Sequence, residues 1–330
     1  MADSLWRAAQ KIGRPAELLD VRTAYLGPSL WRRFAWHCLQ RRPPRWFFFQ
    51  NAFSQAVARF QPGMVLTTGL TPLAKKVLQK ARPQIGGLFH YSTDDPWNPG
   101  QRAQWFLESL TAYDGVFSTR KANLGEFAAL GVKTSHLPFG YDQDLYFWDS
   151  NRGIPDSKCE KAKVFLAGGA DNDRVILLRA LVNAQIDLSL YGDYWERAKS
   201  LKPFWQGRAD PSQIRKEAVD SMVSLLLVRR ANRDGSAMRS FEITACGACC
   251  VAEDTDEHRE MFGPDGEAVL YFRTPEQLVR RVKEAFGNPD LRVRLRRNAH
   301  RAITGKPNTY TDRLKTMLQR LEEQKRIGED

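Results

Sequence analysis

Short apolar runs alternate with segments of helical period along nearly the whole chain, a pattern that predicts βαβ units and parallel sheets. A first helix is expected over Ser4–Lys11 and a strand over Ala16–Val21. Helices follow at Ser29–Gln40 and Asn51–Phe60, the second closed by Gln61-Pro62-Gly63. Strands at Met64–Thr68, Ile85–Tyr91, Gly115–Ser118 and Thr134–Pro138 are separated by helices at Pro72–Lys80, Gln101–Leu110 and Asn123–Leu130. Periodicity lapses between Gly140 and Lys163, a polar stretch with Gly-Ile-Pro at its centre that reads as a linker. The alternation restarts with strands at Val164–Ala167, Ile186–Tyr191, Met222–Val228, Ala248–Ala252 and Ala268–Phe272. Their partners are helices at Arg174–Asn183, Pro211–Val219, Arg239–Cys246, Asp256–Met261 and Pro275–Phe286, before closing helices at Pro289–Ala302 and Thr311–Lys325. Two α/β domains in tandem result. A doubly wound domain ordinarily opens on a buried strand and a Gly-rich turn, whereas here a helix comes first. Either the fold has lost that strand or the coding start lies upstream.

A length of 330 residues fits two domains, and 42% hydrophobic with 27% charged residues is a globular composition. No apolar window is long enough to cross a bilayer, and Arg7 and Lys11 interrupt any leader-like stretch, so a cytoplasmic location is expected. The net charge of +12 favours anionic partners. Residues 1–50 hold nine Lys/Arg against three Asp/Glu. Within them Trp31, Phe34, Trp36, Trp46 and Phe47 interleave with Arg32, Arg33, Arg41, Arg42 and Arg45. Two readings stay open: peripheral contact of residues 31–49 with the anionic inner membrane face, or a helix burying its aromatics in the core beneath solvated arginines. No nucleic-acid motif is visible. Of five cysteines, Cys246, Cys249 and Cys250 sit in an apolar run as small buried residues, and with only Cys38 and Cys159 left no metal site is expected.

Candidate chemistry concentrates between Ser224 and Ala252. A strand ending at Val228 hands over to a loop with Arg229, Arg230, Asn232, Arg233, Asp234 and Gly235, at the sheet edge where open α/β folds bind ligands. A helix starting near Ser236 would aim its free N–H groups at that loop and make an anion site. Glu242 inside it is either a carboxylate for a ribose diol or half of a surface ion pair with Arg239. In the first half, His90 and Asp94-Asp95 end a strand. They either contact an acceptor or metal, or serve as a core histidine and a turn cap.

Asp234-Gly235 with Glu242 eight positions after Asp234, followed by Ala245-Cys246-Gly247, resembles the E-x7-E pattern of retaining GT-B glycosyltransferases, with Asp234 replacing the first Glu. More closely, Arg239–Leu314 resembles the C-terminal domain of the spore-maturation CgeB-like glycosyltransferases. Tyr113–Thr119, Leu130-Gly131 and His136–Pro138 resemble the last strands of that family's N-domain. The resemblance implies a GT-B fold, two Rossmann-like domains facing a cleft. Residues 1–145 would receive the acceptor, 146–310 would bind a nucleotide-diphospho sugar, and a helix over 311–330 would pack back on the N-domain. It further implies that Glu242 binds the ribose, Asp234 faces the sugar and Arg239 meets the diphosphate, with Arg230 and the turn at Gly235-Ser236 beside it. Gly168 and Gly169 would approach the phosphates, Arg174 would replace a missing Lys-Gly cation, and Tyr191-Gly192 would lie near the base. Sugar transfer with retention, without metal or cofactor, is the expected activity. The rivals are a GT-B epimerase using His90 and a scaffold that binds without turnover.

Overall fold

The structure is a computed structural model that describes residues 1–149 and 160–329. Its chain divides into two compact units. Unit 1 comprises Met1–Pro138 with Ala231–Arg233 and Arg313–Asp330, and unit 2 comprises Phe139–Arg230 with Asp234–Asp312. Residues 150–159 of the expected linker, Cys159 among them, lie outside the described residues. Among the described residues no helix is long and apolar enough to cross a membrane.

Unit 1 opens with α1 (Ala2–Lys11), α2 (Ser29–Cys38) and α3 (Trp46–Phe60). It continues through β1 (Val65–Thr68), α4 (Lys75–Ala81), β2 (Leu88–Ser92), α5 (Gln104–Leu110), β3 (Gly115–Ser118), α6 (Leu124–Ala129) and β4 (Thr134–His136). The four strands form one parallel sheet in the order β1-β2-β3-β4. Two hydrophobic clusters pack against it, one with Phe49, Phe53, Leu78 and Leu88 and the other with Trp105, Phe106, Val116 and Phe127. Every residue of β2 and β3 is buried, as expected of a parallel sheet covered on both faces.

One expectation fails here, and one of two open readings does not hold. Ala16–Val21 forms no strand. The Asp20 carboxylate instead accepts the Arg22 N–H at 2.8 Å and caps a short 3₁₀ turn over Val21–Tyr25, a local bond that competes with strand pairing. Nor does the basic aromatic segment bury its rings. Trp46 is buried, but Trp31 and Phe34 are exposed, because α2 places only Ala35 in the interior, and Phe47 is exposed in the first turn of α3.

Unit 2 contains β5 (Lys161–Ala167), α7 (Asn172–Asn183), β6 (Asp187–Tyr191), α8 (Pro211–Asp220), β7 (Ser221–Leu226), α9 (Met238–Ala245) and β8 (Cys250–Glu253). After these come α10 (Asp256–Phe262), β9 (Leu270–Phe272), α11 (Pro275–Gly287) and α12 (Pro289–Thr304). The closing helix α13 (Tyr310–Glu329) begins in unit 2 and continues into the segment assigned to unit 1. Its parallel sheet runs β6-β5-β7-β8-β9, so strand order reverses between β5 and its neighbours. The helix starts are written locally: Asp210-Pro211, Thr274-Pro275 and Asn288-Pro289 each pair a capping side chain with a proline at the first helical position. One core, with Val164, Leu178, Leu190, Trp195, Val223, Val251 and Leu278, fills the space between sheet and helices.

Candidate functional site

In an open parallel sheet, ligands bind beyond the carboxyl ends of the strands where strand order reverses. In unit 2 that point lies between the turns after β5 and β7. The β5 turn is Gly168-Gly169, and it packs against the turn after β6. Gly192, at φ +131°, comes so close that a methyl group there would lie 2.5 Å from the Gly168 carbonyl oxygen. The Gly168 carbonyl accepts the Trp195 indole N–H at 2.8 Å, and the Gly192 carbonyl accepts that of Trp205 at 2.9 Å. The turn is thereby held as bare backbone, the surface a phosphate can approach closely.

Arg174 is not the free cation expected at this turn. It is buried, and its guanidinium donates to the carbonyls of Gly169 (2.9 Å) and Leu227 (3.2 Å), tying together the two turns that flank the reversal. Tyr191 is likewise a packing residue. Its ring meets Phe165 edge-on at 5.9 Å and its hydroxyl accepts from Gln213. The aromatic that stands exposed beside Gly169 is Tyr194, held at φ +72° with the Arg197 guanidinium 4.6 Å over its ring.

The turn after β7 is fixed from β8. Glu253 Oε2 accepts the Val228 N–H at 2.7 Å, and Oε1 accepts from Arg230 at 3.1 Å, so Arg230 is partnered rather than free. Asp234 is half-buried. The next two residues are clamped by the start of α10: Thr255 donates to the Gly235 carbonyl at 2.6 Å, and Ser236 donates to Glu257 at 2.8 Å. Ser236 therefore does not open the helix, which starts at Met238. The Ser240 hydroxyl accepts the Ala237 N–H and bonds the imidazole of buried His258 at 2.8 Å, whose other nitrogen meets the Glu253 carbonyl at 2.8 Å.

Glu242 lies within α9, buried, and pairs with Arg239, whose guanidinium also donates to the Tyr146 hydroxyl at 3.1 Å. The pair exists, but inside the protein rather than on its surface. Burial pushes the Glu242 carboxyl above the usual range, with the Arg239 charge opposing. Burial, reinforced by the Glu242 charge, pushes Tyr146 up to about 12. The arrangement joins a carboxylate able to accept from a diol to a guanidinium able to meet an anion.

Unit 1 treats its expected residues differently. His90 is buried between Phe106 and Tyr113, with Nδ1 2.8 Å from the Thr67 hydroxyl, and burial lowers its pKa to about 3. It borders a cavity of about 10 Å³ together with Asp94 and Asp95, a volume that admits no substrate. Asp95 caps Trp97 N–H at 2.9 Å and accepts from Asn123 and Arg233. Although burial pushes its carboxyl up, the Arg233 guanidinium and the Trp97 and Asn123 donors hold it below the usual range. Asp94 accepts from Asn232. These contacts are structural ones within unit 1. Among the described residues no group of three or more His, Cys, Asp or Glu could hold a metal ion.

Sequence reading missed Tyr146, Tyr194, Glu253, Glu257 and His258. Only Glu253 carried a usable signal, a carboxylate closing the apolar run Cys249–Ala252 at a strand's carboxyl end.

Residues 174–319 match the sequence family described as Glycosyl transferase-like. Among curated proteins no sequence matches significantly. Solved structures similar to the chain include a sucrose-phosphate synthase from Thermosynechococcus elongatus, at TM-score 0.63 and 16% identity over 87% of this chain and 80% of that one. A glycosyltransferase from Rickettsia africae has TM-score 0.63 and 12% identity over 98% and 94% of the two chains. Anabaena HepE, solved with UDP and glucose, has TM-score 0.61 and 12% identity over 91% and 90%. The fold is that of the GT-B glycosyltransferases, and the matched segment contains Arg174, Tyr191, Asp234, Arg239 and Glu242.

Proposed function

We propose that the protein transfers a sugar from a nucleotide-diphospho donor held in unit 2 to an acceptor received by unit 1, and that it is of the CgeB-like type. The observation that carries the reading is the Glu242–Arg239 pair of α9 with Tyr146, in a unit whose sheet has a strand-order reversal with Gly168-Gly169 as its first turn. Glu242 accepts the two ribose hydroxyls, since one carboxylate offers acceptors to both. Arg239 and the N–H groups at the start of α9 stabilise the diphosphate as charge builds on it, without a metal ion or cofactor. Gly168 and Gly169 supply backbone at the phosphates, Tyr194 stacks on the base, and Asp234 lies at the sugar. Retention of configuration, with no dedicated protein base, is proposed from the likeness of Asp234 and Glu242 to the E-x7-E pattern. A uridine donor is the first choice because the similar HepE structures hold UDP, and UDP with glucose. An epimerase is not favoured, because its acid or base would be His90, which is buried and held by Thr67.

The test is calorimetry with UDP, GDP, ADP and dTDP and their sugars on wild type and Glu242→Ala, in EDTA. One nucleotide is expected to bind at micromolar strength and to lose about 2–3 kcal/mol in the variant, the worth of hydrogen bonds to a charged group. Equal binding by both proteins, or none by wild type, overturns the assignment.

A further inference from the structure

The helix α2 has the sequence SLWRRFAWHC, yet it buries a single side chain, Ala35. Leu30 is 79% exposed, Trp31 45% and Phe34 47%, and at the start of α3 Phe47 is 78% and Phe48 59% exposed. Apolar side chains standing singly are ordinary surface, but six between Leu30 and Phe48, Leu39 included, are a concentration that water disfavours. Arg32, Arg33, Arg42 and Arg45 are exposed among them, with Arg42 5.4 Å over the Trp46 ring and Arg45 5.9 Å over that of Phe48. From Val21 to Thr93 the chain has no Asp or Glu. Arg41 is set apart by its bonds to the Pro99 and Gly100 carbonyls, which fasten the segment after α2 to the body of unit 1.

We propose that α2 and the first turn of α3 form a docking surface for an anionic lipid bilayer. The charge selects the partner's sign, since a segment with several arginines and no carboxylate complements a negatively charged surface. Self-association fits poorly, because a two-fold interface would set two copies of a surface with several arginines and no carboxylate against each other. A nucleic-acid backbone would satisfy the arginines but offers nothing to the aliphatic Leu30. In a bilayer Leu30, Phe34, Phe47 and Phe48 reach the acyl boundary, Trp31 sits at headgroup depth, and the arginines extend to phosphate.

Flotation of the full chain with phosphatidylcholine vesicles, with and without phosphatidylglycerol, tests this. Binding is expected only with the anionic lipid, weakening as salt rises. Arg32→Gln with Arg33→Gln should lower partitioning about 25-fold, at about fivefold per charge. Phe47→Ser with Phe48→Ser should lower it roughly tenfold or more. Both variants change exposed side chains, so circular dichroism and nucleotide binding should match wild type; this separates failure here from failure of the donor assignment. The proposal is overturned if wild type ignores both vesicles or binds them equally. It is also overturned if light scattering shows a dimer that the phenylalanine variant dissolves, or if the protein retains single-stranded RNA in place of vesicles.

Discussion

His258 was invisible as a functional position, yet it sets the start of α9. Its Nδ1 faces a carbonyl, which can only accept, so Nδ1 carries the proton and Nε2 accepts from Ser240. Protonation would put a second donor against Ser240 and break a chain of bonds running from Ala237 N–H to the Glu253 carbonyl. Burial lowers the His258 pKa to about 4, against an ordinary value of 6.5. Below 6.5 the unfolded chain takes a proton that the folded imidazole refuses, so stability falls as pH drops from 6.5 towards 4 and levels off beneath. The loss from this one group is on the order of 3 kcal/mol. His90, lowered by the same cause, contributes in the same direction. His258→Phe should therefore flatten, but not abolish, the acid slope of the urea midpoint between those pH values. A slope identical to wild type would show that His258 titrates normally.

At the scale of elements, the helix ends of unit 2 converge on two buried arginines of α12. Arg292 donates to the Ala285 and Phe286 carbonyls in the last turn of α11, and Arg296 to the carbonyls of Val219 in the last turn of α8, Ser221 just after it and Gly247 beyond α9. Carbonyl ends of helices carry partial negative charge, which suits cations. Both guanidiniums share one carboxylate, Glu160, just before β5, at 2.6 and 2.7 Å. Glu160→Gln leaves two buried cations without their counter-charge and should cost about 3–5 kcal/mol in denaturant unfolding. A cost below about 1 kcal/mol would mean that the carbonyls alone hold the arginines. Elements of this kind were legible in the sequence, since strands β3 and β6 and the proline-led helices α8, α11 and α12 are announced by apolar runs and cap residues. What lay beyond it was the partner of each charge. The same period describes a helix that buries its aromatics and α2, which exposes them. Nothing local tells that the Arg174 guanidinium turns inward to two carbonyls while Tyr194, not Tyr191, stays exposed. Glu242 could be picked out because a carboxylate on an apolar helix is costly anywhere. Its partner Tyr146 could not, lying 96 positions away in a stretch without periodicity.

Across the whole molecule, each unit has its own parallel sheet and its own cores, but only the described strands of unit 2 reverse their order. The sheet of unit 1 runs in sequence order from β1 to β4, so it supplies no such point for a nucleotide. If the donor assignment is right, a saturating nucleotide should alter hydrogen exchange unequally along the chain. A ligand at one hundred times its Kd stabilises the state that binds it by about 2.7 kcal/mol, which slows amides exposed by the opening that releases it about a hundredfold. The amides at Gly168–Ala170, Gly192–Tyr194 and Val228–Glu242 should gain protection, and those of β1 to β4 should change little. Glu242→Ala should remove the gain at all three segments together, because the mass-action term vanishes with affinity rather than with any one contact. Protection confined to β1–β4, or gained equally by both units, would place the nucleotide elsewhere and leave Glu242 and Arg239 as a buried structural pair.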